Sequence, residues 1–226
     1  MRGVTAVTRA LVRPVWRTLP RRALAAGAAA GLLLAGVPRM QSGAPDPLLG
    51  LYALRGAALA LALGLAFLLD DPARHVTSTV PARRPVRIGL RVALVAPWAA
   101  LCWTAALLLV PREARPPVGA VTLEAAATAV FALTAAALVV RRPQVTEPGV
   151  AVSAWLLSTA VAVALLTHGD WALLVVPDDP RWDSSHERWA VLLALATAMG
   201  ARACVEPLRA PWRPPLLRRQ APAAPQ

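Results

Sequence analysis

The sequence predicts an all-α fold: a polytopic membrane helix bundle of about six transmembrane helices with both termini cytoplasmic. Three observations lead there. Leu48–Leu69 and Ile88–Val110 are mainly apolar runs of 22 and 23 residues. At about 1.5 Å per residue, either can cross a hydrocarbon core of about 30 Å. The break between them holds Asp70, Asp71, Arg74, Arg83, Arg84 and Arg87, so it cannot lie in lipid. The 226-residue chain is 57% hydrophobic and 16% charged, too apolar for a soluble domain and too charged to lie wholly in lipid.

In chain order, residues 1–22 form a basic segment with Arg2, Arg9, Arg13, Arg17, Arg21 and Arg22 and no acid. Val4, Val7, Leu11 and Val15 recur at helical spacing. The segment therefore reads either as a helix on an anionic membrane surface or as a disordered basic tail. Ala23–Val37 is a short first span of 15 uncharged residues. Its rival is a cleaved signal segment, although no small-x-small cleavage site precedes Pro45. Spans two to six are expected at 48–69, 88–110, 118–140, 149–167 and 189–205. Pro97 lies inside the third and can kink it. Trp171–Val176 is too short to cross, so it is an interfacial anchor or part of a re-entrant excursion. Residues 206–226 form a cytoplasmic tail rich in Pro and Arg, without the apolar material for a core. Residues 23–205 make up the transmembrane domain.

All 24 basic residues are Arg. Eighteen fall in the amino-terminal segment, the 70–91 and 141–148 loops and the carboxyl tail. Five fall in the alternate loops, together with most of the acids. This bias sets the sidedness: basic segments stay in the cytoplasm of a multi-pass cell-membrane protein. The net charge of +12 is thereby accounted for without nucleic acid. Cys102 and Cys204 lie far apart at apolar runs and read as small hydrophobes. No phosphate loop, zinc-protease helix or nucleophile elbow is present. Ser153 and Ser158 lack an activating His in an apolar run. We therefore expect no catalytic residues, no cofactor, no metal site and no enzyme activity. His168, Asp170, Asp178, Asp179, Asp183, His186 and Glu187 match no ligand spacing and read as a solvated acidic loop.

Two charges stand well inside apolar runs, Arg55 and Glu124. Each costs about 3 kcal/mol near a span's centre. Under the topology above they lie seven and six residues from the same membrane face. One expectation is an ion pair joining spans two and four; the alternative is that Arg55 snorkels and Glu124 is protonated or faces water. Asp70 and Asp71 follow a helix carboxyl end, where acids oppose the dipole. A basic partner is expected, from Arg83, Arg84 and Arg87 or from another protein.

The run from Leu54-Arg55 through Ala66-Phe67-Leu68-Leu69-Asp70-Asp71-Pro72-Ala73, with Asp179-Pro180-Arg181-Trp182, His186 and Arg188-Trp189-Ala190, resembles permease subunits of ABC-type exporters from high-GC Gram-positive bacteria. The resemblance covers roughly residues 48 to 205. It implies half of a homo- or heterodimeric translocation unit in the bilayer, driven by a separate cytoplasmic ATPase subunit. It also implies that Asp70, Asp71, Arg74, Arg83, Arg84 and Arg87 belong to the coupling loop, and that 171–176 is part of a re-entrant element. The short first span and the Pro-rich tail depart from that pattern.

Overall fold

A computed structural model describes residues 15–70, 84–141, 147–167 and 169–204. Among these residues there is no strand. The long helices are α1 (Arg21–Gly36), α2 (Pro47–Ala66), α3 (Arg84–Leu109), α4 (Val118–Val139), α5 (Pro148–Leu166) and α6 (Trp182–Cys204). Short 3₁₀ turns extend α1 over Val37–Met40 and α2 over Phe67–Leu69. Five segments, 21–40, 47–69, 88–109, 118–139 and 148–166, are long and apolar enough to cross a membrane. They mark the chain as a membrane protein.

The expected sixth span behaves differently. Its helix begins at Trp182, seven residues before the predicted start, because Asp179 Oδ1 accepts from the Arg181 N–H and stops the chain just ahead of it. The first two turns hold Asp183, His186, Glu187 and Arg188. α6 therefore falls outside the five apolar segments. α3 also starts earlier than expected, at Arg84, and Pro97 lies within it. The remaining helix ends agree with the sequence to within three residues.

Small residues set the helix spacing. A Cβ added to Gly27 of α1 would lie 2.7 Å from the Ala60 carbonyl oxygen and 2.9 Å from Gly64 Cα of α2. One at Gly31 would lie 3.1 Å from the Ala57 oxygen. As α1 is followed from 27 to 31, its partners on α2 run from 64 down to 57, so the pair is antiparallel and in backbone contact. Such contact gains dispersion energy that lipid chains cannot match. A Cβ at Gly50 would collide with the Ala114 carbonyl, which brings the 111–117 loop against the start of α2.

The same argument orients the other helices. The start of α3 meets the end of α2 through Arg91, while Val110, just past its carboxyl end, packs beside Leu51 and Ala35. α4 and α6 run parallel: Glu124 meets His186 near their starts, and Thr134 Oγ1 donates to the Ala196 carbonyl further along. The start of α5 abuts Phe67 and Asp70. Successive helices thus alternate in direction, and α2, α4 and α6 begin at one common end. Arg17, Arg21, Arg22, Arg91, Arg141 and Arg202 collect at the opposite end.

Side chains close the helix ends. Asp46 accepts from the Leu48 N–H at 2.8 Å. Arg39 donates to the Leu108 and Leu109 carbonyls, and Arg115 to that of Val110, satisfying groups at the end of α3. Buried Arg91 does the same for Leu68 and the Asp70 backbone. Cations at carboxyl ends also complement the helix dipole.

Replacing Gly27 with Val should force α1 from α2, because the atoms it meets are backbone and cannot step aside. We expect a loss of about 1–3 kcal/mol, the usual cost of overpacking. Denaturant unfolding of the purified protein in bicelles measures it, with Ala25→Val, on an exposed position of α1, as a control near zero.

Candidate functional site

Arg55 lies two turns into α2 and Glu124 in the second turn of α4. Because both helices begin at the same end, the two side chains reach the same level. The structure brings them into direct contact. Arg55 Nε donates to Glu124 Oε2 at 2.7 Å, and Nη2 donates to Oε1 at 2.8 Å. This side-on fork buries the pair, leaving 11% of the Arg55 side chain and 5% of the Glu124 side chain exposed. Nη2 also donates to the Val175 carbonyl at 2.8 Å. Nη1 is buried with no hydrogen-bond partner.

Two further groups in this cluster were not expected. His186 of α6 places Nε2 3.1 Å from Glu124 Oε1, at ion-pair distance but without hydrogen-bond alignment. Its Nδ1 lies 2.8 Å from the Trp182 carbonyl. A carbonyl only accepts, so Nδ1 carries the ring proton. The other missed partner is the Val175 carbonyl. Residues 172–176 fold over this end of the bundle, with Val175 buried and Trp171 exposed. They are held from α6: Ser185 Oγ and Trp189 Nε1 donate to the Leu173 carbonyl, and Arg188 Nη1 to that of Ala172.

Beside the cluster is a cavity of about 570 Å³. α5 creates it. The buried positions of that helix are Pro148, Gly149, Val152 and Leu156, all in its first half. Beyond Leu156 the helix stands off, and Thr159, Ala160, Val163 and Ala164 form one wall. Arg55, Glu124 and Thr128 supply polar atoms opposite, and Trp155, Phe131 and Trp189 supply aromatic surface. His186 stands behind Glu124, off the cavity wall.

The predicted coupling residues fare differently. Asp71, Arg74 and Arg83 lie outside the described residues, as do residues 1–14 of the basic amino-terminal segment. Arg84 and Arg87 belong to the first turn of α3. The side chains of Arg83, Arg84 and Arg87, the arginines expected to pair with Asp70, lie outside the described residues, but Asp70 has a further partner. Its carboxylate accepts from the Gly149 N–H at 2.8 Å and caps α5. A helix amino terminus offers partial positive charge and free N–H groups, which serve an acid as an arginine would. Gly149 is required there, because a Cβ would meet the Phe67 ring and lie 2.8 Å from Asp70 Oδ2. Burial, the largest influence, pushes the Asp70 carboxyl above its ordinary value of 3.8; the Gly149 hydrogen bond pulls the other way. Asp179 differs: hydrogen bonds from Arg181 hold its carboxyl down at about 2. Among the described residues, no three His, Cys, Asp or Glu side chains gather as metal ligands.

Compared with protein families, curated proteins and solved structures, the chain matches none.

Breaking the buried pair on one side strands the other charge. Arg55→Met or Glu124→Leu alone should cost about 3–5 kcal/mol. The double variant should cost clearly less than the sum, and a double-mutant cycle by denaturant unfolding measures the difference. Asp70 gives a pH prediction. Its folded pKa is raised, so wild type is favoured most below about pH 3.8 and loses stability as pH rises through the folded pKa. Asp70→Asn keeps an acceptor for Gly149 and removes the titration. Its stability relative to wild type should rise across that window, read from unfolding midpoints between pH 3.5 and 7.

Proposed function

We propose that this chain is the membrane-spanning permease subunit of an ATP-driven exporter in the cell membrane, working beside a separate cytoplasmic ATPase. One observation carries the reading: a roomy cavity inside an apolar bundle, with an arginine–carboxylate–histidine cluster on and behind its wall. A bundle serving only as an anchor has no need of such a cavity, since lipid-facing helices can close on one another. The resemblance of residues 48–205 to export permeases points the same way. The arginine bias would place the end bearing Arg21, Arg91, Arg141 and Arg202 in the cytoplasm, with both termini there. The cluster and the cavity would then open in the outer half of the membrane. The 70–87 loop would face the ATPase, with Asp70 anchoring one end of that loop to α5.

A second reading is a non-transporting scaffold or accessory subunit. The saturation of Glu124 by Arg55 favours it, since a closed fork holds helices together without moving anything.

Purification of the full chain from its native membrane distinguishes the two. The export reading expects a phosphate-loop ATPase at near-equal stoichiometry, and ATP hydrolysis that falls severalfold when Arg55 is replaced by Met. Absence of any ATPase, with no ATP-dependent uptake into inverted vesicles, would leave the scaffold.

A further inference from the structure

We propose that the entry to α1 is a binding site for one anionic phospholipid, whose phosphate is held by Arg17, Arg21 and Arg22 beside Trp16. The site is separate from the cavity and does not depend on an export role.

The argument begins with how the chain reaches α1. Val15 and Leu19 are buried, each 8% exposed. Leu19 packs with Leu24, Leu65, Leu68 and Val95, drawn from the first three helices and their extensions. The Thr18 N–H and hydroxyl both donate to the Val15 carbonyl and close a turn. Buried Arg91 reaches the Thr18 hydroxyl while it holds the Leu68 and Asp70 carbonyls. Residues 15–20 are therefore seated on the bundle. Trp16 and Arg17 are left exposed on that seat, and exposed Arg21 and Arg22 follow in the first turn of α1.

Charge specifies the ligand. Three arginines stand within six residues. Among the described residues, none of the three has a carboxylate partner. Arg21 donates from Nη2 to the Trp16 carbonyl at 3.3 Å and lies 5.5 Å from the centre of its ring. The Arg17 and Arg22 guanidinium groups make no hydrogen bond among the described residues. A free guanidinium fork matches the oxygens of a phosphate in pairs. The three side chains, with Leu19, Pro20 and Ala23, line a hollow of about 500 Å³.

Position selects a lipid over a soluble anion. The first membrane-crossing segment begins at Arg21, so the hollow lies where hydrocarbon gives way to headgroups. Trp16 is 50% exposed, and indole settles at that depth. Leu19 and Ala23 supply an apolar floor for the glycerol and first methylenes. Each arginine beside an anionic bilayer surface strengthens binding roughly fivefold.

The test titrates the purified full chain in nonionic detergent with phosphatidylglycerol or phosphatidylcholine, each brominated on the acyl chains close to the glycerol. Phosphatidylglycerol should quench Trp fluorescence saturably and bind at least about tenfold more tightly than phosphatidylcholine. The triple variant Arg17→Gln, Arg21→Gln, Arg22→Gln should abolish most of that preference. Arg141→Gln with Arg202→Gln, two arginines of the same end on other helices, should preserve it. Equal loss in both variants would show diffuse attraction to a basic end and overturn the proposal, as would equal binding of the two lipids. Displacement by millimolar inorganic phosphate would assign the patch to a soluble anion and overturn it too. If the triple variant does not fold, Trp16→Phe decides: it should remove part of the quenching specific to phosphatidylglycerol, and unchanged quenching would place the lipid elsewhere.

Discussion

A guanidinium placed two turns into an apolar helix needs its charge cancelled and its N–H groups received, and hydrocarbon does neither. Glu124 on α4 cancels the charge of Arg55 and takes two of its N–H groups, the Val175 carbonyl takes a third, and His186 on α6 stands behind Glu124. Because these elements are distant in sequence, the demand of one side chain fixes the relative depth and rotation of α2, α4 and α6. Helices that meet only through alanines could slide by a turn at little cost. A side-on fork at 2.7 and 2.8 Å cannot.

Around that fixed point the packing is uneven. α1 and α2 touch backbone to backbone through Gly27, Gly31 and Gly64, and Thr134 and Gly200 bring α4 and α6 similarly close. α3 and α5 are held chiefly near particular ends. Arg91, Arg39 and Arg115 secure the ends of α3, and the Asp70 cap secures the start of α5. The cavity of about 570 Å³ lies where α5 lacks such fixings, and another of about 290 Å³ lies between α2, α3 and α4. Tight and loose regions therefore follow from which helices contribute glycine or a capping charge to their neighbours.

Much of this was legible in the residues. Apolar run length located the helices, and equal depth brought Arg55 and Glu124 together on paper. His186 escaped because its stretch reads as a polar loop; Asp179 and Pro180, a stop signal four residues upstream of Asp183, were the clue that the helix starts early enough to include it. The Val175 carbonyl left no trace, since a backbone oxygen is the same on every residue. Asp70 was read through side-chain charge alone, and the amino terminus of α5 is a positive partner that no arginine count reveals. The cavity was invisible for a related reason: all of α5 is apolar, and nothing in its composition distinguishes the half that packs from the half that stands off.

The strap over residues 172–176 has a mechanical consequence. Leu173 and Ala172 are tied by their carbonyls to Ser185, Trp189 and Arg188, so the strap and α6 form one lever. Tilting that lever away from α2 would withdraw the Val175 oxygen and the His186 ring from the ion pair in a single stroke. Arg55 would then lose one acceptor and Glu124 one neighbour together. The contacts of the buried ion pair are thus geared to the angle of the last helix.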